Sequence, residues 1–173
     1  MIYKKNNLVI DGFKPELLAR KYSTPLYLYS LKMIKENVKN FKKKFKGINA
    51  LTCFAVKANS NRFLLKEIGR LGLGADVVSI GELIRALKSG IKPNKIVFSG
   101  VGKTTDEISF AIKKEILLIN AESKSEILEI ERIGKTTKKK VNIGIRLNPN
   151  TDAKTLSQIS TGKKENKFGV SEE

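Results

Sequence analysis

The sequence contains no histidine and no tryptophan, and its only cysteine is Cys53. Without histidine, this chain by itself builds no Ser-His-Asp triad, no Cys-His pair and no His-ligated metal. A single cysteine likewise excludes an internal disulfide framework and a Cys-cluster zinc site, and it suits a reducing compartment. Long apolar runs are missing too. The longest are of the kind LTCFAV (51–56), about six residues, against roughly 18 for a membrane span. The start, MIYKKNNLVIDG, lacks the apolar block of a signal peptide. A soluble, cytoplasmic protein with no membrane partner is the expectation. Acidic residues are also scarce: 17 Asp and Glu stand against 34 Lys and Arg, a formal net charge of +17.

Such an excess could neutralise a phosphate backbone. However, lysine supplies 28 of the cations and is spread along helix-like segments, the pattern of a solvated face. Aromatic residues are only 7% and do not interleave with the basic runs KKKFK (42–46) and KTTKKK (135–140), as a base-stacking platform would require. Those runs fall at the end of one helix and in the loop after another, where cations complement the helix dipole. A nucleic-acid partner is therefore the minor reading.

What is present is a repeat. Apolar runs at LTCFAV (51–56), ADVVS (75–79), KIVFSG (95–100), ILLIN (116–120) and VNIGIRL (141–147) start a little over twenty residues apart, the length of one βα unit. Their lack of alternation predicts parallel strands covered on both faces. Ser79 with Glu82, Thr104 with Glu107 and Ser123 with Glu126 fit the helix-opening S/T-x-x-E pattern, and Gly90 and Gly134 read as helix stops. A helix after Ser30 carries Leu31, Ile34, Val38, Phe41 and Phe45 as a core stripe. Ahead of it, NLVI, PELLARKY and PLYLYS read as strand, helix and strand. The loop VKANSNRF lacks the G-x-G-x-x-G of a dinucleotide site, which favours a (β/α)8 barrel over a doubly wound sheet. The expected fold is α/β: a partial TIM barrel of about five of the eight βα units, preceded by a short β-α-β segment, the first part of a longer protein.

In a barrel, function collects at the C-terminal ends of the strands. Those positions hold Lys57, Ser79, Ser99 with Gly100, Asn120, and Arg146 with Asn148. Lys57 continues an apolar strand, so it should be buried and either paired or reactive; desolvation favours the neutral amine that condenses with a carbonyl. The alternative is a lysine that emerges into solvent where its strand ends. Asp76 could pair with Lys57 across the barrel mouth, or serve as an ordinary turn aspartate. Arg146, among apolar neighbours, needs a carboxylate or phosphate partner or forms a structural ion pair. Cys53 reads as a small buried hydrophobe.

The segments YSTPLYLYS (22–30), FAVKANSN (54–61), LGLGADVVSIGELIRALKSG (71–90), KIVFSGVGKT (95–104), INAESKSE (119–126), IGIRLNPNTDAKT (143–155), ISTG (159–162) and NKFGV (166–170) resemble, in order, the N-terminal part of the diaminopimelate decarboxylase family. That family lies within the alanine-racemase-like group of pyridoxal-phosphate enzymes. Ornithine, arginine and carboxynorspermidine decarboxylases share parts of the pattern. The resemblance implies pyridoxal 5'-phosphate as cofactor, Lys57 as the lysine that forms its Schiff base, and Asp76 and Arg146 as neighbours of the cofactor. It implies decarboxylation of meso-diaminopimelate to L-lysine in a homodimeric complete protein. It also implies that residues 1–30 go with a C-terminal β domain and residues 31–173 with an incomplete cofactor-binding barrel. Where the family reads T-H-x-Y, this chain has Thr155, Leu156, Ser157 and Gln158. The phosphate site, the partner of the pyridine nitrogen and the substrate pocket would lie beyond residue 173, so the chain alone is expected to be inactive.

Overall fold

Helices α3 (Arg62–Arg70), α4 (Ile80–Lys88), α5 (Thr105–Lys113) and α6 (Lys124–Thr137) alternate with strands β3 (Cys53–Ala55), β4 (Gly74–Val77), β5 (Ile96–Phe98), β6 (Leu118–Ala121) and β7 (Ile143–Ile145). The structure, a computed structural model, describes residues 2–4, 6–151, 154 and 168–171. The five strands form one all-parallel sheet in chain order. Each apolar run of the sequence supplies one strand, and successive order without reversal is the arrangement of a barrel wall.

Side chains alternate across a strand, so each strand divides its residues between two faces. Ala75, Val77, Ile96, Phe98, Ile119 and Ala121 face the helices and are fully buried. They meet Leu65, Leu83, Ala86, Ile108, Ala111, Ile112, Ile130 and Ile133 in one core. The other face, with Asp76, Val97, Leu118 and Asn120, is only half-buried. The unbroken apolar character of the runs thus overstates their cover: among the described residues no second layer lies on that face.

The helix starts behave as the sequence indicates, with one refinement. Ser79, Thr104 and Ser123 each accept a hydrogen bond from the backbone N–H of the glutamate three residues on. Only Glu107 completes the reciprocal box, accepting from Thr104 N at 2.9 Å. Glu82 and Glu126 reach one residue further back, to Val78 N (2.9 Å) and Glu122 N (3.2 Å). Gly90, at φ +86°, follows α4 as a stop. Gly134 does not stop its helix. The helix α6 runs on to Thr137 and is ended by Lys138 in the left-handed conformation, φ 54°. Gly134 is instead buried inside it, where a Cβ would lie 3.2 Å from the carbonyl oxygen of Lys139. Its lack of a side chain lets the returning chain pass close by.

Contacts divide the chain into Met1–Ala50 and Leu51–Glu173. The first unit holds an antiparallel pair, β1 (Ile2–Lys4) and β2 (Asn7–Val9), then α1 (Pro15–Tyr22) and α2 (Leu31–Lys44). The segment PLYLYS forms no strand, because no neighbouring backbone among the described residues takes up its hydrogen bonds. Ser30 caps α2, accepting from Met33 N, and its own hydroxyl donates to Asp11 Oδ1 at 2.6 Å. The expected core stripe of α2 is buried only in part. Ile34 and Val38 are half-buried, while Leu31, Phe41 and Phe45 remain exposed. A further strand, β8 (Leu147–Asn148), pairs in parallel with β9 (Val170–Ser171). The Thr155–Gln158 departure and the ISTG motif lie outside the described residues.

Two carboxylates tie helix starts to their neighbours. Hydrogen bonds from the backbone of Thr104, then of Ile80, hold Glu107 below the ordinary value of 4.5. Hydrogen bonds from Arg132, then from Thr105 across to α5, bring Glu129 down to about 2. Both groups are more acidic folded than unfolded, so their contribution is complete above the unfolded value and disappears as pH falls through the folded one. The urea midpoint is therefore expected to drop between pH 4.5 and about 2. The E107Q/E129Q double variant should show a shallower drop, and an unchanged slope would contradict this account.

Candidate active site

The C-terminal ends of the parallel strands border a cleft of about 630 Å³, lined by Lys57, Asp76, Ser99, Asn120, Glu122 and Arg146 among others. That volume is in the range of sites for small molecules. Strand β3 stops at Ala55, and residues 56–58 make a 3-10 turn. The turn buries Val56 and leaves Lys57 exposed at the cleft. The expected burial of Lys57 is thus corrected: the strand ends one residue early, and the turn rotates the lysine out of the core.

Asp76 lies inside β4, in register with Ala55 and Val97 on the half-buried face. It does not pair with Lys57. Its Oδ1 accepts from Ser99 Oγ at 2.7 Å, and Ser99 Oγ accepts from Asn120 Nδ2 at 3.0 Å. This relay crosses three neighbouring strand ends. It depends on Gly144, which is in register with Asn120; a Cβ there would lie 2.3 Å from Asn120 Oδ1. Cys53, half-buried beside this face, is pushed towards a higher pKa by burial and then by the charge of Asp76.

Of the partners open to Arg146, the structure shows a carboxylate. Its Nη1 lies 3.2 Å from Glu122 Oε1, and its guanidinium sits 4.8 Å from the ring centre of Phe168. Glu122, buried, also accepts from Gly100 N (3.2 Å) and Gly169 N (3.0 Å). A second buried pair lies close by. Lys103 Nζ donates to Glu126 Oε1 (2.6 Å) and to the carbonyls of Gly100 and Asn120 (both 2.7 Å). All three of its protons are used, so this buried ammonium is fully paired and belongs to the scaffold.

The sequence thus brings Lys57, Asp76 and Arg146 to one cleft, with Ser99, Gly100 and Asn120 between them. Ser79 and Asn148 act elsewhere: Ser79 caps α4, and Asn148 Nδ2 donates to Phe168 O at 3.1 Å. Sequence reasoning passed over Glu122 and Lys103. Glu122 follows the apolar run ILLINA and carries the same signal that singled out Lys57. Nothing distinguishes Lys103 among 28 lysines.

Substituting methionine for Lys103 strands Glu126, whose side chain is 9% exposed, without its cation. A loss of about 3–5 kcal/mol is expected from equilibrium urea unfolding; a loss below about 1 kcal/mol, the worth of a surface pair, would contradict the assignment.

The fold and cleft define a class: an α/β barrel wall whose strand ends present a lysine, a hydrogen-bonded aspartate and a paired arginine. Residues 31–173 match the family model described as pyridoxal-dependent decarboxylase, pyridoxal binding domain, and the chain belongs to that family. Within it, the chain is 55% identical over 160 residues to a diaminopimelate decarboxylase of Helicobacter pylori strain J99, covering 92% of this chain and 40% of that protein. It is 46% identical over 168 residues to the diaminopimelate decarboxylase of Aquifex aeolicus, covering 97% of this chain and 40% of that protein. The crystal structure of the Helicobacter pylori enzyme complexed with L-lysine superposes with a TM-score of 0.87 at 52% identity, covering 91% of this chain and 40% of that one. The chain therefore spans about 40% of the length of these relatives, and its parallel sheet is part of a barrel.

Proposed function

We propose that the chain supplies the pyridoxal-binding portion of a decarboxylase that converts meso-diaminopimelate to L-lysine. The observation that carries this reading is the exposed amine of Lys57 at a cleft shared with Asp76 and Arg146, in a chain so similar to diaminopimelate decarboxylases. An aldehyde cofactor needs a primary amine that is accessible and not locked in an ion pair. Lys57 meets both conditions and the neighbouring Lys103 meets neither. Lys57 would hold pyridoxal phosphate through its aldehyde, with Asp76 and Arg146 beside it. When bound, that cofactor supplies an electron sink for the pair left as carbon dioxide departs. The residues themselves position it. Ser99, held in turn by Asn120, hydrogen-bonds the Asp76 carboxylate, and Arg146 is paired with Glu122.

In this reading residues 1–30 associate with the β domain of the complete protein and residues 31–173 with its barrel; the family match beginning at residue 31 supports that division. The complete protein is a cytoplasmic homodimer acting on an amino acid. Among the described residues, no helix is long and apolar enough to cross a membrane. The test is carbon dioxide release by the complete protein from meso-diaminopimelate, ornithine, arginine and carboxynorspermidine. Release from meso-diaminopimelate alone is expected, and release confined to any of the others would overturn the substrate assignment.

A further inference from the structure

Arg146 and its surroundings divide into a fixed and a dependent part. Its backbone is held by the sheet: Arg146 N donates to Ala121 O at 3.0 Å, and Val170 N donates to Arg146 O at 2.8 Å. Its side chain is 37% exposed, so in water the guanidinium would sample many rotamers. What restrains it is Glu122, whose side chain is 4% exposed, with the ring of Phe168 against it. Both oxygens of Glu122 are occupied. Oε1 takes Arg146 Nη1 and Gly100 N, and Oε2 takes Gly169 N. We infer that Glu122 is the positioning residue that fixes Arg146 in the cleft, gathering the turn after β5, the end of β7 and the segment before β9 on one buried carboxylate. A charged acceptor is required. A glutamine of the same shape offers one oxygen and one N–H₂, and the latter would confront a donor instead of accepting from it.

The test uses the complete protein and has two arms. In the first, an arginine-selective dicarbonyl reagent is applied and the modified residues are mapped by mass spectrometry. In Glu122→Gln, modification of Arg146 should be at least about fivefold faster than in the unmodified sequence, as expected when a charge-assisted restraint is lost. Arg132, paired with Glu129 on α6, should keep its rate and serves as the internal control. Equal rates at Arg146 in the two proteins would overturn the inference. If E122Q does not fold, Glu122→Asp, which keeps the charge but withdraws it by one methylene, is read in the same way.

The second arm rests on the function proposed above. E122Q should lower kcat about tenfold or more, and should add little in an Arg146→Met background, because a residue acting through Arg146 has nothing left to position. A cost as large in R146M as in its absence would also overturn the inference. The labelling arm needs neither cofactor nor substrate. An inactive parent protein would therefore sink the decarboxylase reading while labelling still decides the role of Glu122.

Discussion

Alanine in place of Lys57 is expected to lower decarboxylation by the complete protein at least about a thousandfold while leaving its stability within about 0.5 kcal/mol. Both parts follow from where the turn after β3 places the side chain. It is exposed at the cleft and, among the described residues, takes part in no ion pair, so its removal disturbs no packed neighbour there. Its chemistry, however, is not replaceable by charge. Arginine at 57 keeps the cation, but a guanidinium does not give up its proton to become a nucleophile, so K57R should fail as completely as K57A. Lys103 is the contrast. Removing that lysine should cost stability first, because it satisfies a buried carboxylate and two carbonyls. Residual activity within about tenfold of the parent in K57A would remove Lys57 from the reaction.

A polypeptide of these 173 residues made alone should show no turnover and only scattered, partial labelling when incubated with pyridoxal phosphate and reduced with borohydride. The half-buried face of the sheet has no layer over it among the described residues. Ile145, which lines the cleft, and Leu147 beyond it in sequence are 54% and 58% exposed. In such a setting little besides the reversible imine would retain the cofactor, and the 28 lysines would compete for its aldehyde. Stoichiometric labelling at Lys57 alone, with carbon dioxide release from meso-diaminopimelate, would show that this polypeptide is self-sufficient.

The alternation of strand and helix was legible because parallel strands and capped helices write local signals. All five apolar runs supply sheet strands, and all three serine or threonine starts cap their helices. Other features depended on partners distant in sequence. The segment PLYLYS has strand composition but no ladder partner, and composition does not reveal that. Gly134 looked like a stop because glycine ends many helices; only the fold shows the carbonyl of Lys139 passing 3.2 Å from where its Cβ would be. At the cleft, the position of a residue at a strand end sufficed to find Lys57, Ser99, Asn120 and Arg146. It did not reveal that Lys57 is turned out of the core. Nor did it show that Ser99, rather than Lys57, holds Asp76, since that bond joins groups on neighbouring strands, 23 residues apart. Glu122 follows an apolar strand as Lys57 does, but that position does not disclose what it binds: Gly100 and Gly169, two of its donors, are 22 and 47 residues away.

The most direct measurement is borohydride reduction of the complete protein carrying its cofactor, followed by proteolysis and mass spectrometry of every lysine-containing peptide. The account predicts a single reduced pyridoxyl adduct per chain, on Lys57, that is absent from K57R. An adduct located on another lysine, or a K57R protein that retains a stoichiometric reducible adduct, would contradict it.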